Sequence, residues 1–289
     1  MTSESSTVRA AFWMTGWLAL MLIMPVAGRE SAREMELVQV MEMRSVIGFL
    51  MLYPLIHRAG GLAAMKTTRL WLHVARNCVH YLAQYGWLLA ITLIPLAQVV
   101  SIEFTMPIWT AILAVTLLGE RMTVWKNVAV VLGLIGVLII VRPGVDEISM
   151  GQLIALATAV GFGVSVTMIK SLTRTESTLS ILFWMVVIQS VVGLAPALAV
   201  WRWPSALGWT WVVVIAFCGT FSHYCMTRAL RYADATVVVP MDFLRVPLSA
   251  LVGWLVYTES IDVLTAVGAA LILAGNMLNL KGAPPAAKT

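Results

Sequence analysis

Apolar positions along this chain run in long blocks, broken only by short polar punctuation. Ten blocks can be drawn, at roughly 8–28, 35–57, 70–94, 95–118, 124–141, 150–170, 179–200, 208–230, 235–257 and 262–280. Each approaches the length of about 20 residues that a helix needs to cross a bilayer. The breaks fall at Gly28-Arg29-Glu30, between Arg58 and Arg69, at Pro95, Glu120-Arg121, Arg142-Pro143-Gly144, Arg174-Thr175-Glu176, Arg202-Trp203-Pro204, Asp234 and Glu259. Pro95, standing alone, is the thinnest of them. The pattern predicts an all-α polytopic membrane protein with ten transmembrane helices.

Composition narrows the class further. Of 289 residues, 60% are hydrophobic and 11% charged, with a mean hydropathy of +0.90. A soluble domain carries about 25% charged residues, so this chain cannot clothe a soluble surface. A soluble enzyme, a nucleic-acid-binding protein and a disordered chain are all excluded. The net charge of +5 is better read as a topological signal than as an anion-binding surface. With the N-terminus cytoplasmic, twelve Lys and Arg fall on inner segments and four (Arg29, Arg33, Arg142 and Arg202) on outer loops. That bias predicts a multi-pass protein of the plasma (inner) membrane with both termini cytoplasmic. The connections leave no room for a soluble domain. No cleaved signal peptide is expected, and residues 282–289 read as a disordered cytoplasmic tail. Cys78, Cys218 and Cys225 lack metal-ligand spacing and read as packing residues.

The second half repeats the first at an offset of 139 residues. Glu103-Phe104 answers to Asp242-Phe243, Ala111 to Ala250, Glu120 to Glu259, Val124 to Val263, Leu132 to Leu271 and Gly136 to Gly275. Thr123 and Asp262 also correspond, each placed to cap the helix that follows. Two units are expected, 1–144 and 145–281. Five spans per unit is an odd number, so the copies would thread the membrane in opposite senses, as in alternating-access carriers with a midplane site.

The residues of the repeat carry a family resemblance. Trp87-Leu88-Leu89-Ala90 through Pro95-Leu96-Ala97, then Pro107, Leu118-Gly119-Glu120-Arg121, Gly133 and Gly136 resemble the EamA-type repeat of the drug/metabolite transporter superfamily. The second copy is similar but more worn: Arg228-Ala229-Leu230-Arg231-Tyr232-Ala233, Pro247, Glu259, Gly268 and Gly275, with Thr258-Glu259-Ser260 where copy one has Gly-Glu-Arg. The resemblance implies transport of a small organic metabolite, most often outward. It does not choose among amino-acid exporters, riboflavin carriers and other metabolite carriers. It also favours a structural role for Arg44.

Ionisable residues within spans cost several kcal/mol and normally face the bundle interior. Six stand out: Glu42, Arg44, Arg76, Glu103, Asp242 and Arg245, three acids against three arginines. His80-Tyr81 and His223-Tyr224 occupy comparable places in the third and eighth spans. Helical spacing lines up Glu103, Pro107, Thr110 and Ala114 in the fourth span, and Asp242, Arg245, Ser249 and Gly253 in the ninth. The third adds Arg76, His80, Gln84 and Trp87. These stripes are either hydrogen-bonded glue between helices or the lining of a substrate cavity. On the cavity reading, the site comprises His80, Tyr81, Gln84, Glu103, Thr110, Phe162, His223, Tyr224, Asp242, Arg245 and Ser249. Arg44, Arg76, Pro107 and Pro247 are then structural or gating residues.

The two acids differ in their surroundings. Asp242 has Arg245 three residues on, whereas Glu103 has no basic residue within a turn. Glu103 is therefore the candidate proton carrier unless another helix supplies a cation, with Arg44 and Arg76 as the competing partners. Trp13, Trp17, Trp71, Trp201, Trp203, Trp209 and Trp211 lie near span ends, as interfacial anchors do. Trp87, Trp109 and Phe162 lie deeper, to stack on a planar substrate or to pack against lipid. No catalytic constellation, nucleotide loop, metal cluster or cofactor site is read, nor a dimer seam. The expected activity is secondary transport of a zwitterionic or planar solute, its partners being that small molecule, the lipid bilayer and protons. A riboflavin-like or organic-anion substrate is the alternative; a passive channel or membrane-embedded enzyme is the reading from another class.

Overall fold

The computed structural model describes residues 7–118, 124–142, 149–172, 174–232, 238 and 241–281. Glu120, Thr123 and the tail from 282 fall outside these, as does the side chain of His223. Every regular element among the described residues is helical. In chain order they are α1 (Thr7–Ser31), α2 (Leu37–Arg58), a single 3₁₀ turn (Gly61–Met65), α3 (Leu70–Leu93), α4 (Leu96–Glu103) and α5 (Met106–Leu118). Then come α6 (Val124–Val141), α7 (Met150–Leu172), α8 (Thr178–Ala199), α9 (Ala206–Tyr232), α10 (Arg245–Tyr257) and α11 (Val263–Lys281). Six stretches are long and apolar enough to span a bilayer: Val8–Ser31, Leu37–Arg58, Leu96–Leu113, Met150–Ile169, Thr178–Ala199 and Ala206–Met226. Asn127–Val141, Arg245–Tyr257 and Val263–Leu278 are shorter apolar helices. The 24-residue α3 is more polar, because Arg76, Asn77, His80 and Gln84 sit in its middle.

Local chemistry sets the boundaries. Pro95 cannot donate a helical hydrogen bond and biases its predecessor away from α, so Ile94 is extended and α3 stops before α4 begins. Ser177 caps α8 by accepting from the Ser180 amide at 3.1 Å. Asp262 caps α11: one carboxylate oxygen accepts from the Thr265 amide (3.0 Å) and the other from the Thr265 hydroxyl (2.7 Å).

The fourth apolar block is not one helix. It breaks at Phe104-Thr105, between α4 and α5. The second copy breaks in the corresponding place: Met241-Asp242 are helical, Phe243-Leu244 turn, and α10 starts at Arg245. A break inside an apolar medium frees backbone groups that need partners. One comes from the last helix, where the Asn276 amide donates to the Phe104 carbonyl at 2.8 Å. The two break phenylalanines meet edge to face, with ring centroids 5.6 Å apart and planes at 86°.

Packing runs between the halves. α1 lies on α9, α3 on α7, α2 on α8, α6 on α11 and α4 on α10. Since α1 corresponds to α7 and α3 to α9 at the 139-residue offset, the first two pairings are one contact made twice with the roles exchanged. Apolar side chains such as Leu50, Leu82, Val131, Leu138, Val191 and Leu255 are exposed on the outside. Gln39, Glu42, Arg76, Asn77, Gln189, Asp242 and Arg245 are buried within. This inside-out distribution is what a lipid solvent selects.

Candidate functional site

A cavity of about 480 Å³ lies where the halves meet, lined from α1, α2, α3, α4, α5, α7, α8, α9, α10 and α11. Its polar groups form two clusters of opposite charge.

The acidic cluster sits at the two helix breaks. Arg245 donates through Nη1 to Glu103 Oε1 at 2.9 Å, and its Nε lies 3.5 Å from Asp242 Oδ1. Trp87 Nε1 donates to the other Glu103 oxygen at 2.8 Å, and Trp17 Nε1 to Asp242 Oδ1 at 2.6 Å. The Arg245 guanidinium also lies 4.7 Å from the centre of the Phe104 ring. Glu103 ends α4, where the helix dipole disfavours an anion, and Arg245 begins α10, where it disfavours a cation. Each is placed badly for its own helix, and the pair across the breaks offsets both. Two carboxylates face one guanidinium, so the cluster carries a formal charge of −1.

The basic cluster is built from α2, α3 and α7. Arg44 Nη2 donates to Gln84 Oε1 at 2.6 Å and to Gln189 Oε1 at 3.2 Å. Arg76 donates from Nε to Ser165 Oγ (3.0 Å) and from Nη1 to Asn77 Oδ1 (2.7 Å). His80 Nδ1 shares the same Ser165 hydroxyl at 3.2 Å, and its ring lies 5.4 Å from that of Phe162. Among the described residues, no carboxylate pairs with Arg44 or Arg76. Glu42 points the other way: Ser190 donates to its Oε1, while its Oε2 is buried beside Gly193 without a hydrogen-bond partner.

One end of the molecule is tied by a polar latch. Arg29, at the end of α1, donates to Glu259 Oε1 and to the carbonyls of Ile91 and Ile94 (the latter at 3.0 Å), and lies 4.4 Å over the Tyr257 ring. Glu259 Oε2 accepts the Leu96 amide at 2.9 Å, and the Tyr257 hydroxyl donates to Glu30 at 3.0 Å. Gln39 is bonded reciprocally to the backbone of Arg202. Beside them Arg142 pairs with Asp262. Burial alone would push the Asp262 carboxyl up, but the bonds from Thr265 and the Arg142 guanidinium hold it below its ordinary value. The cavity lining stops short of this latch; away from it, the lining continues to Ile169 on α7 and Met226 on α9.

Several expected site residues stand in the cavity wall: His80, Gln84, Glu103, Phe162, Asp242 and Arg245, with Pro107. Others do not. Tyr81 is buried toward Glu42 and Gly193 on the α8 side. Thr110 and Ser249 turn back to their own helices, bonding the carbonyls of Met106 and Val246. Of the stripe predicted for the fourth span, Glu103 and Pro107 line the cavity, whereas Thr110, beyond the break after Glu103, does not. Tyr224 is half-exposed on the outer face beside Trp13 and Phe221. Pro247 is exposed and lines a separate groove between α4, α10 and α11. Arg44 and Arg76, expected as structural or gating residues, line the cavity. Glu103 is not without a cation, since Arg245 arrives from the other half. Neither Arg44 nor Arg76 is its partner.

Trp17, whose place near a span end predicts an interfacial anchor, is buried in the middle of α1 with its indole on Asp242. Arg29, which the sequence places only among the loop charges, ties the latch. The signal that could have found it was Glu259, a motif residue of the repeat needing a partner.

The EamA-like transporter family matches twice, over residues 8–142 and 149–281. The chain belongs to the EamA-like transporter family. Its similar relatives are transporters, not enzymes. A riboflavin transporter of Brucella anthropi is 32% identical over 239 residues, 80% of this chain and 84% of its own. An S-adenosylmethionine uptake transporter of Rickettsia prowazekii is 28% identical over 74% of this chain and 72% of its own. A pseudopaline exporter of Pseudomonas aeruginosa is 25% identical over 87% and 88%. A crystal structure at 18% identity shares the fold over 96% of this chain and 98% of its own, with a TM-score of 0.65. This EamA-family protein is therefore a multi-pass transporter of a small molecule.

Proposed function

We propose that this protein is a secondary active transporter of a small organic zwitterion, an amino acid or a similar solute, and that it works by alternating access. Residues 1–144 and 145–281 act as two inverted five-helix units, ten spans in all, rocking about the central cavity. The observation that carries the reading is the cavity itself, which is lined where the two halves meet by both a −1 cluster and an arginine pair. A soluble ligand with charges of both signs complements it, and Trp17, Trp87, Phe104 and Phe162 supply apolar walls.

The positive-inside bias assigns the latch end to the outer face, so the cavity faces the cytoplasm. Relatives named for uptake and for export share this plan, and export is the direction we assign. The single uncompensated charge of the Glu103–Arg245–Asp242 cluster supports Glu103 as the site where a proton is carried. A flavin-like substrate is the second reading, favoured by the aromatic walls and by the riboflavin transporter relative.

Counterflow in proteoliposomes tests this, after a thermal-shift screen of amino acids, flavins and organic anions has chosen the labelled solute. Saturable exchange accelerated by unlabelled solute on the opposite side is expected. Flux that rises linearly with concentration and ignores the opposite pool would mean a channel and end the carrier reading.

A further inference from the structure

Arg44 and Arg76 stand in one cavity wall with only neutral protein acceptors. Arg76 is almost fully buried, at 3% exposure, and Arg44 is partly buried. Their bonds are to amide and hydroxyl oxygens of Gln84, Gln189, Asn77 and Ser165. Each guanidinium has five N–H donors, of which these contacts use only some. A guanidinium withdrawn from water without an anion is costly, because neutral hydrogen bonds return only part of its lost hydration. The acids within the bundle do not make up the difference. Glu103 and Asp242 are committed to Arg245 and the two indoles, and Glu42 is turned into the α2–α8 contact. Two positive charges on this wall therefore have no anionic partner among the described residues.

The amides that hold the two arginines also constrain them. His80 and Gln84 lie on the same face of α3 as Arg76, one and two turns further along. Gln84 fixes Arg44, and the Ser165 hydroxyl that fixes Arg76 also meets His80 Nδ1. The guanidinia are thus oriented before any ligand arrives, which lowers the entropy lost on binding.

We infer that Arg44 and Arg76 form an anion subsite that takes the carboxylate of the transported solute. The solute's cationic end, where it has one, lies toward Asp242 and Glu103. Arg245 is not the group that holds the carboxylate, since it already faces two acids of its own. The inference rests on the cavity being the transport site, and it names the chemistry of that solute.

Matched acid and amide probes test it on the full-length protein in detergent, at constant ionic strength and without knowledge of the natural substrate. Benzoate against benzamide, and tryptophan against tryptophanamide, differ only in the carboxylate. Saturable thermal stabilisation by the acids is expected, with apparent affinity about tenfold or more above that for the amides, the value of a charge-assisted hydrogen-bond pair. Arg44→Gln and Arg76→Gln should each shrink that preference to near unity. Arg44→Lys should restore part of it, as charge without a forked geometry does.

Equal responses to acid and amide, or no response to any acid, would overturn the subsite, and that comparison needs no variant to fold. So would an acid preference left intact in folded Arg44→Gln and Arg76→Gln. The proposed transport activity is judged separately by counterflow, so a channel-like result with a preserved acid preference would refute the carrier and leave the anion subsite standing.

Discussion

Gly136 of α6 and Gly268 of α11 pass so closely that a methyl group built on either would lie 2.6 Å from the other's carbonyl oxygen. The repeat offset maps this contact onto a second one, in which a methyl group built on Gly275 would lie 2.8 Å from the Ala129 carbonyl oxygen. The closing helices of the two halves therefore meet backbone to backbone along a seam of small residues, a packing that lipid-embedded helices favour. Gly136→Ala should force the helices apart and lower stability by about 1–3 kcal/mol, seen as a fall in the thermal midpoint of purified protein. An unchanged midpoint would mean the seam yields at no cost.

Neutralising the two ends of the central ion pair should have unequal effects. Glu103→Gln leaves Asp242 with Arg245, a balanced pair, and the glutamine oxygen can still accept from Trp87. Arg245→Gln leaves two carboxylates facing each other with only neutral donors, the indoles and the new amide. Arg245→Gln should therefore destabilise by about 3–5 kcal/mol, with Glu103→Gln well below it. Equal losses would show that the cluster does not behave as one arginine shared by two acids.

Proton coupling through Glu103 has its own signature. If the spare negative charge of the cluster carries the proton, Glu103→Gln should remove the pH dependence of uptake into proteoliposomes while solute counterflow persists. Retention of the wild-type pH profile by Glu103→Gln would move the role elsewhere.

The latch should behave as a gate. Arg29 ties α1 to the end of α3 and, through Glu259, to the start of α4. Losing charge-assisted bonds of this kind is worth about 1.5–3 kcal/mol each. In a background lacking the native cysteines, a thiol at position 88 in the cavity wall (Leu88→Cys) should react at least about tenfold faster with a membrane-impermeant reagent from the latch side once Arg29→Ala is added. No acceleration would mean that apolar packing alone seals that end.

Asp262 links stability to pH. Its carboxyl is held below its ordinary value in the folded protein. The stabilisation is therefore complete above the unfolded value, about 3.9, and is lost as pH falls through the lower folded value. Asp262→Asn should lower the thermal midpoint by a constant amount between about pH 5 and 7, with the gap closing in stronger acid. A gap that persists in strong acid would assign the effect to packing.

How much of this was legible in the sequence depended on the range of the interaction. Helix positions followed from apolar run length, and even lone Pro95 marked a true boundary because proline acts through its own backbone. Asp262 as a cap was legible for the same local reason. The break after Glu103 was legible only in part: Pro107 cannot donate to the Glu103 carbonyl, as Pro247 cannot to that of Phe243, but the group that stabilises the open backbone, Asn276, lies 172 residues away. The partner of Glu103 was hidden likewise, lying 142 residues on. Trp17 resembled any tryptophan near a span end until Asp242 arrived beside it. Tyr81 and Tyr224, chosen for a shared position after histidine, show that such likeness does not fix which way a ring points.

Arg245 has one further consequence. A single guanidinium holds the last residue of a broken helix in one half and an acid at the matching break in the other. The two breaks are yoked, and neither can reorganise while that grip lasts. A cation entering between the acids competes for both at once, so its arrival is felt by both halves in the same exchange, with no chain of intermediaries to relay it.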